Sequence, residues 1–226
     1  MKRHILYTMA MVLAPITASA VDGVVLINQS TVMAAGGFPY KITQPGSYRF
    51  SGNLQVTALN TDAIDIQANN VTLDLNGFSI TGPVICTGSG ASLACNPASS
   101  GIGISSTGAN CVVRNGAVVG FLSGVDLAGV SGAGQAIVEE ILVSNNITAG
   151  IHAIDAVVRR NVAVRNGTGI EVTSSTVTDN VANRNLTGLS VVAGVFGSNA
   201  LTGNGRAIFP GSSISQNNNA CNGSAC

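Results

Sequence analysis

Three consecutive lines of nineteen residues, 150–168, 169–187 and 188–206, constrain this chain more than any other feature. Laid under one another, they begin with Gly150, Gly169 and Gly188, followed by Ile151, Ile170 and Leu189. Val158, Val177 and Phe196 share a column. Asn161, Asn180 and Asn199 share another, and Asn166, Asn185 and Asn204 a third. A short period of this kind describes stacked copies of one small unit, not a single globular core. The unit is too short for a helical hairpin, and no line carries a helix-length apolar stripe. It holds β-branched pieces, such as Gly169-Ile170-Glu171-Val172 and Ser175-Thr176-Val177-Thr178, broken by Asn, Gly and Ser. That is strand chemistry with turn punctuation. Ile170 and Val172 point to one side of such a strand and Glu171 to the other. Lines lying one strand spacing (~4.8 Å) apart make a parallel β-solenoid with an inner stack of Ile, Leu, Val and Phe. Asn suits its corners. It tolerates left-handed backbone, and stacked amides form ladders whose bonds contribute ~0.5–1.5 kcal/mol each.

Outside these lines the grid loosens. Lys2, Arg3 and His4 precede an apolar run over 5–14 that is too short for a bilayer, and Ala18-Ser19-Ala20 is a small-residue cleavage site. A signal peptide over 1–20 is expected, and with it a soluble product exported to the periplasm or beyond, with no membrane span. Losing Lys2 and Arg3 from ten basic residues leaves eight against ten acidic ones. So thin a charge suggests no nucleic-acid partner. Residues 21–62, with Pro45-Gly46 between two short strands, read as an N-terminal cap that shields the first open edge. Line starts then fall at 63, 101, 124, 150, 169, 188 and 207, so coils occupy 63–220. Residues 82–100, rich in Gly, Ser and Ala, read as an inserted loop, and 129–135 as a smaller corner insertion.

Five cysteines in an exported chain leave one over. Cys86 and Cys95 are expected to close the inserted loop, and Cys221 and Cys226 to staple the C-terminal end over 221–226. Cys111 lies on an expected strand as a small buried hydrophobe. No ligand spacing suggests a metal or another cofactor.

Several segments resemble a known group. Gln44-Pro45-Gly46-Ser47-Tyr48 with Gly52-Asn53-Leu54, the run from Asn70 to Ile80, and Val113-Arg114-Asn115-Gly116 are similar to exported bacterial proteins with right-handed parallel β-helix repeats. Their fold is that of the pectate-lyase-like superfamily. The resemblance covers nearly the whole mature chain and implies an all-β, single-stranded right-handed parallel β-helix. It implies no particular reaction.

In sugar-cleaving β-helices the chemistry sits on outward strand positions. The third position of each line gives Asp65, Gly103, Asp126, His152, Glu171 and Ser190. Asp126, His152 and Glu171 are therefore the catalytic candidates. An imidazole between two carboxylates can do acid–base work, and Asp126 and Glu171, two coils apart, approach the ~6.5–9.5 Å of an inverting glycosidase pair. The same column is also what a polar exposed face looks like. Arg165 and Arg184 share a column without carboxylates and are candidates for binding an anionic sugar. Glu140, Arg160 and Asp179, with Glu139 beside Arg159, alternate in sign as cross-strand stability requires. The chain lacks a paired Asp-Asp, a Gly-His-Gly and an Arg-x-Lys, and Lys41 lies in the cap. The reading leans against an enzyme. A solenoid that binds glycans or an envelope or matrix component comes first, a small polysaccharide hydrolase or lyase second, and a purely structural adhesin fragment third.

Overall fold

The computed structural model describes residues 23–129, 135–222 and 224–225. The expected signal peptide, Cys226 of the expected C-terminal staple and most of the 129–135 insertion lie outside these residues. The described chain is all-β and built on long parallel sheets.

Ile170-Glu171-Val172 shows how one rung forms. Ile170 and Val172 are each 1% exposed, while Glu171 faces outward. The strand Thr168–Thr173 pairs in parallel with Ala149–Ile154 on one side and Thr187–Val192 on the other, nineteen residues away in each direction. Extended both ways, this sheet has eight strands, from Tyr40–Ile42 to Arg206–Pro210. Each fully buried Ile, Leu or Val contributes ~1.5–3 kcal/mol, and one apolar stack runs from Ile27 to Cys221.

A second sheet receives the chain twice per rung. Ala156–Arg159, Thr176–Thr178 and Val195–Gly197 stack on one stretch of it. Val162–Val164, Val181–Asn183 and Ala200–Thr202 stack on another. Val158, Val177 and Phe196 are direct partners there and fill the interior. Earlier in the chain Val112–Val119 and Ala136–Ser144 run through both stretches without a break. Where the line turns, the backbone is left-handed. Asp155, Arg160 and Arg165 have φ of 51°, 54° and 54°, and Ser174, Asp179 and Arg184 repeat them at 53°, 59° and 59°.

A buried Asn follows two of these three corners and holds it. Asn180 Oδ1 accepts from the Asn161 backbone N–H (2.9 Å) and from Asn161 Nδ2 (3.1 Å), while Asn180 Nδ2 donates to Val158 O (3.0 Å) and to Asn199 Oδ1 (3.1 Å). Asn219 extends this ladder. Asn166, Asn185 and Asn204 form the second ladder, which Asn146 begins.

The carbonyl of the next rung, with the ladder amide beside it, explains the leading glycines. No left-handed backbone is needed at these positions; what matters is room. A Cβ on Gly150 would lie 2.6 Å from Gly169 O and 3.0 Å from Asn166 Nδ2. On Gly169 it would meet Gly188 O at 2.6 Å and Asn185 Nδ2 at 2.9 Å, and on Gly188 it would meet Ala207 O and Asn204 Nδ2. Ala207 takes the glycine position where no further amide of that ladder is described.

Residues 23–62 hold strands that pair in the same parallel manner as the later rungs. Val24–Ile27 pairs with Gly46–Phe50, which pairs with Val71–Asp74, and Tyr40–Ile42 pairs with Ile64–Ile66. The feature peculiar to this end is a short helix, Gln29–Ala34, absent from the sequence reading. Asn28 caps it reciprocally with Thr31, and Val32 is buried in the common core.

The 82–100 insertion is closed by the Cys86–Cys95 disulfide across two short antiparallel strands, Ile85–Thr87 and Ala94–Asn96. It is a strap. Val84 N–H donates to Gly120 O (3.0 Å), but Gly90 N–H donates to Arg184 O (3.4 Å), and a Cβ on Gly90 would touch Gly205 N at 3.1 Å. The ladder between these anchors runs Val119, Ser144, Val164, Asn183. The strap therefore crosses three strand spacings, about 14 Å, along the outside of the stack.

Candidate functional site

The outward column of the eight-stranded sheet reads Lys41, Asp65, Ser105, Asp126, His152, Glu171, Ser190, Phe209. It corrects the sequence register at one place. Gly103 was expected in this column, and Ser105 stands there, opposite both Asp65 and Asp126. Gly101-Ile102-Gly103-Ile104 reads alike in two registers two residues apart, because strand alternation has period two. Space decides between them. Gly103 sits over Gly124, where a Cβ would lie 2.5 Å from Gly124 O, and Ile104 is fully buried. Lys41 heads the column, a position its assignment to the cap concealed. Tyr40-Lys41-Ile42 shares with Ile64-Asp65-Ile66 the pattern of one charge between two apolar residues, a signal that was there to be read.

Of the three catalytic candidates, two touch. His152 Nδ1 lies 3.3 Å from Asp126 Oδ1, with side chains 35% and 25% exposed. The same Asp126 oxygen accepts the Ala128 N–H at 3.1 Å. Burial works to raise the Asp126 pKa, but the hydrogen bonds from His152 and Ala128 and the attraction of the imidazolium outweigh it, so the net direction is downward. His152 moves upward, chiefly through its hydrogen bond to Asp126; burial opposes this, and attraction to Asp126 and Glu171 adds to it. Glu171 is the next residue down the column, and no ion pair shorter than 4.0 Å joins it to His152. Asp65 Oδ2 accepts from Gln67 Nε2 at 2.6 Å.

Such a pair orients an imidazole but supplies no raised carboxyl. A glycosidase acid needs a carboxyl held protonated, with its pKa raised, and Asp126 is shifted the other way. Among the described residues no group of three or more His, Cys, Asp or Glu is arranged to hold a metal.

The other charged candidates divide by company. Glu139 Oε2 receives Arg159 at 2.8 Å and Arg160 at 2.9 Å, and Arg160 Nε donates to Glu140 at 3.1 Å. Strand pairing adds Arg49, Asp74 and Arg114 to the Glu139–Arg159 column, so charge alternates through five strands. Arg165 and Arg184 occupy the third corner without a carboxylate partner, and Arg165 Nε is buried with no hydrogen bond. A cavity of about 740 Å³ lies elsewhere, between Gln29, Met33, Phe38, Asn53 and Gln55. Cys111 is free and buried, its Sγ 3.1 Å from Gly108 O, and burial pushes its pKa up.

No family model, curated protein or solved structure matches this chain. No helix among the described residues is long and apolar enough to cross a membrane.

Proposed function

We propose that this chain is an exported, single-stranded right-handed parallel β-helix of pectate-lyase-like type that binds a glycan or an envelope or matrix component without catalysis. The observation that carries this reading is the outward column from Lys41 to Phe209, in register over eight strands. It offers polar groups at one strand spacing along a line, which suits a polymer better than a small substrate.

The second reading is a small polysaccharide hydrolase or lyase using Asp126, His152 and Glu171. What favours it is the contact between Asp126 and His152 on the face where β-helix enzymes work. Incubation with acidic and neutral polysaccharides separates the two, read by new reducing ends and by absorbance of unsaturated products. The expected result is retention of polymer without turnover. Turnover that disappears in His152→Ala would replace binding by catalysis.

A further inference from the structure

We infer that Arg165 and Arg184, at the third corner beside the disulfide-closed strap, form a binding site for an oxyanion. The ligand class is a carboxylate, sulfate or phosphate group, and on the surface-binding reading above it belongs to an acidic polysaccharide.

Three observations meet at this corner. The two arginines are equivalent residues of adjacent rungs. Both have left-handed backbone, and their N–H groups donate to equivalent carbonyls, Asn183 O and Thr202 O. Like charges one rung apart destabilise a parallel stack unless something neutralises them. Elsewhere the chain supplies the counter-charge: Arg114 faces Asp74, while Arg159 and Arg160 face Glu139. At this corner the column holds Asn145, Arg165, Arg184 and Gly203, and no carboxylate.

The second observation is an unmet donor. Arg165 Nε is shielded from solvent and bonds to nothing, as is Arg114 Nε, but Arg114 also faces Asp74 and Arg165 faces no carboxylate. The guanidinium nitrogens other than Nε can match two oxygens of a planar or tetrahedral oxyanion.

The third is the strap. It bonds to Arg184 O through Gly90 N–H and packs on Gly205, where a Cβ would lie 2.9 Å from Ala91 N. From Val84 to Gly90 it passes the rung of Arg165. It therefore meets the backbone at Arg184 while the Arg184 side chain stays exposed. The strap brings no acidic residue of its own, since 82–100 contains no Asp or Glu.

The test compares wild type, Arg165→Gln, Arg184→Gln, the double variant, and Arg206→Gln as a control for loss of charge. Thermal midpoints are measured in sodium sulfate against sodium chloride of equal ionic strength. Binding is then measured with an oligo-uronate and a neutral hexose oligomer of equal length. Sulfate is expected to raise the wild-type midpoint by about 2 °C or more. The double variant loses that rise and at least about tenfold in oligo-uronate affinity, while Arg206→Gln keeps both. Without added anion and at low salt, Arg184→Gln should match or exceed wild-type stability, because a like charge has gone. Sulfate protection without oligo-uronate binding upholds the oxyanion site and removes the polysaccharide as its source. Neutral-oligomer binding with no sulfate effect overturns the site and leaves glycan binding standing. Equal loss in Arg206→Gln, or unfolding of both single variants without anion, also overturns it.

Discussion

The rungs before and after residue 146 solve the same corner in different ways. In the earlier part, Val112–Val119 and Ala136–Ser144 run through the bend as single strands of eight and nine residues. Ile141 fills this bend with hydrocarbon and Phe121, just past the end of Val112–Val119, fills the next corner; they are 1% and 0% exposed. In the later part the strands are cut to three or four residues and Asn occupies the equivalent place. The join is visible: Ile141 N–H donates to Asn161 Oδ1 and Phe121 N–H to Asn146 Oδ1, as each Asn N–H does to the next Asn. Bulk suffices where the strand itself keeps its backbone bonded. Where the strand is broken, the corner must supply bonds up and down, and only a short amide does both.

Asn180→Ala should break the later solution most severely. It removes the acceptor of Asn161 N–H and the donor to Val158 O. With about 1–3 kcal/mol for each buried group left unpaired, unfolding stability should fall by ~3–5 kcal/mol in urea titration. A loss below about 1 kcal/mol would erase the distinction between the two regions. Gly169→Ala should cost about 1–3 kcal/mol by overpacking, since its Cβ would meet Gly188 O at 2.6 Å. Gly52→Ala in the early part, with its nearest neighbour at 3.4 Å, should stay within about 0.5 kcal/mol. If the two variants behaved alike, the glycine column would owe nothing to crowding by the next rung.

The smallest effect belongs to the outward face. His152 has a raised pKa, so its contribution is complete below the ordinary value of 6.5 and fades as pH climbs past the folded value. Asp126 has a lowered pKa, so its share is complete above the ordinary 3.8 and fades as pH falls through the folded value. Wild type should therefore exceed His152→Gln most clearly between about pH 4 and 6.5, by under ~1 kcal/mol because both groups are partly solvated. A difference that grew above pH 8 would contradict the pairing.

The period, the Asn columns and the Cys86–Cys95 closure are visible in the sequence because identical residues recur at one spacing or lie close in the chain. Asp126, His152 and Glu171 share a column for the same reason. Gly103 was misplaced because two Gly-Ile pairs in a row leave a slip of two residues undetermined. Lys41 was hidden by the irregular spacing of the first rungs, where insertions break the count. The strap's course could not be read from residues 82–100, since its landing place, Arg184 to Gly205, lies about a hundred positions further along. Only the folded stack brings those residues near.

That strap changes how the molecule can come apart. Stacked repeats talk only to their neighbours, so an end can peel away one layer at a time. Here a crosslinked finger reaches from Gly120 down to Arg184 and Gly205. Peeling from the C-terminal side must pull this finger loose before it can advance, which ties distant layers into one cooperative event. Amide exchange across 165–205 should then rise and fall together, as in a bound book whose last pages are clipped to its middle.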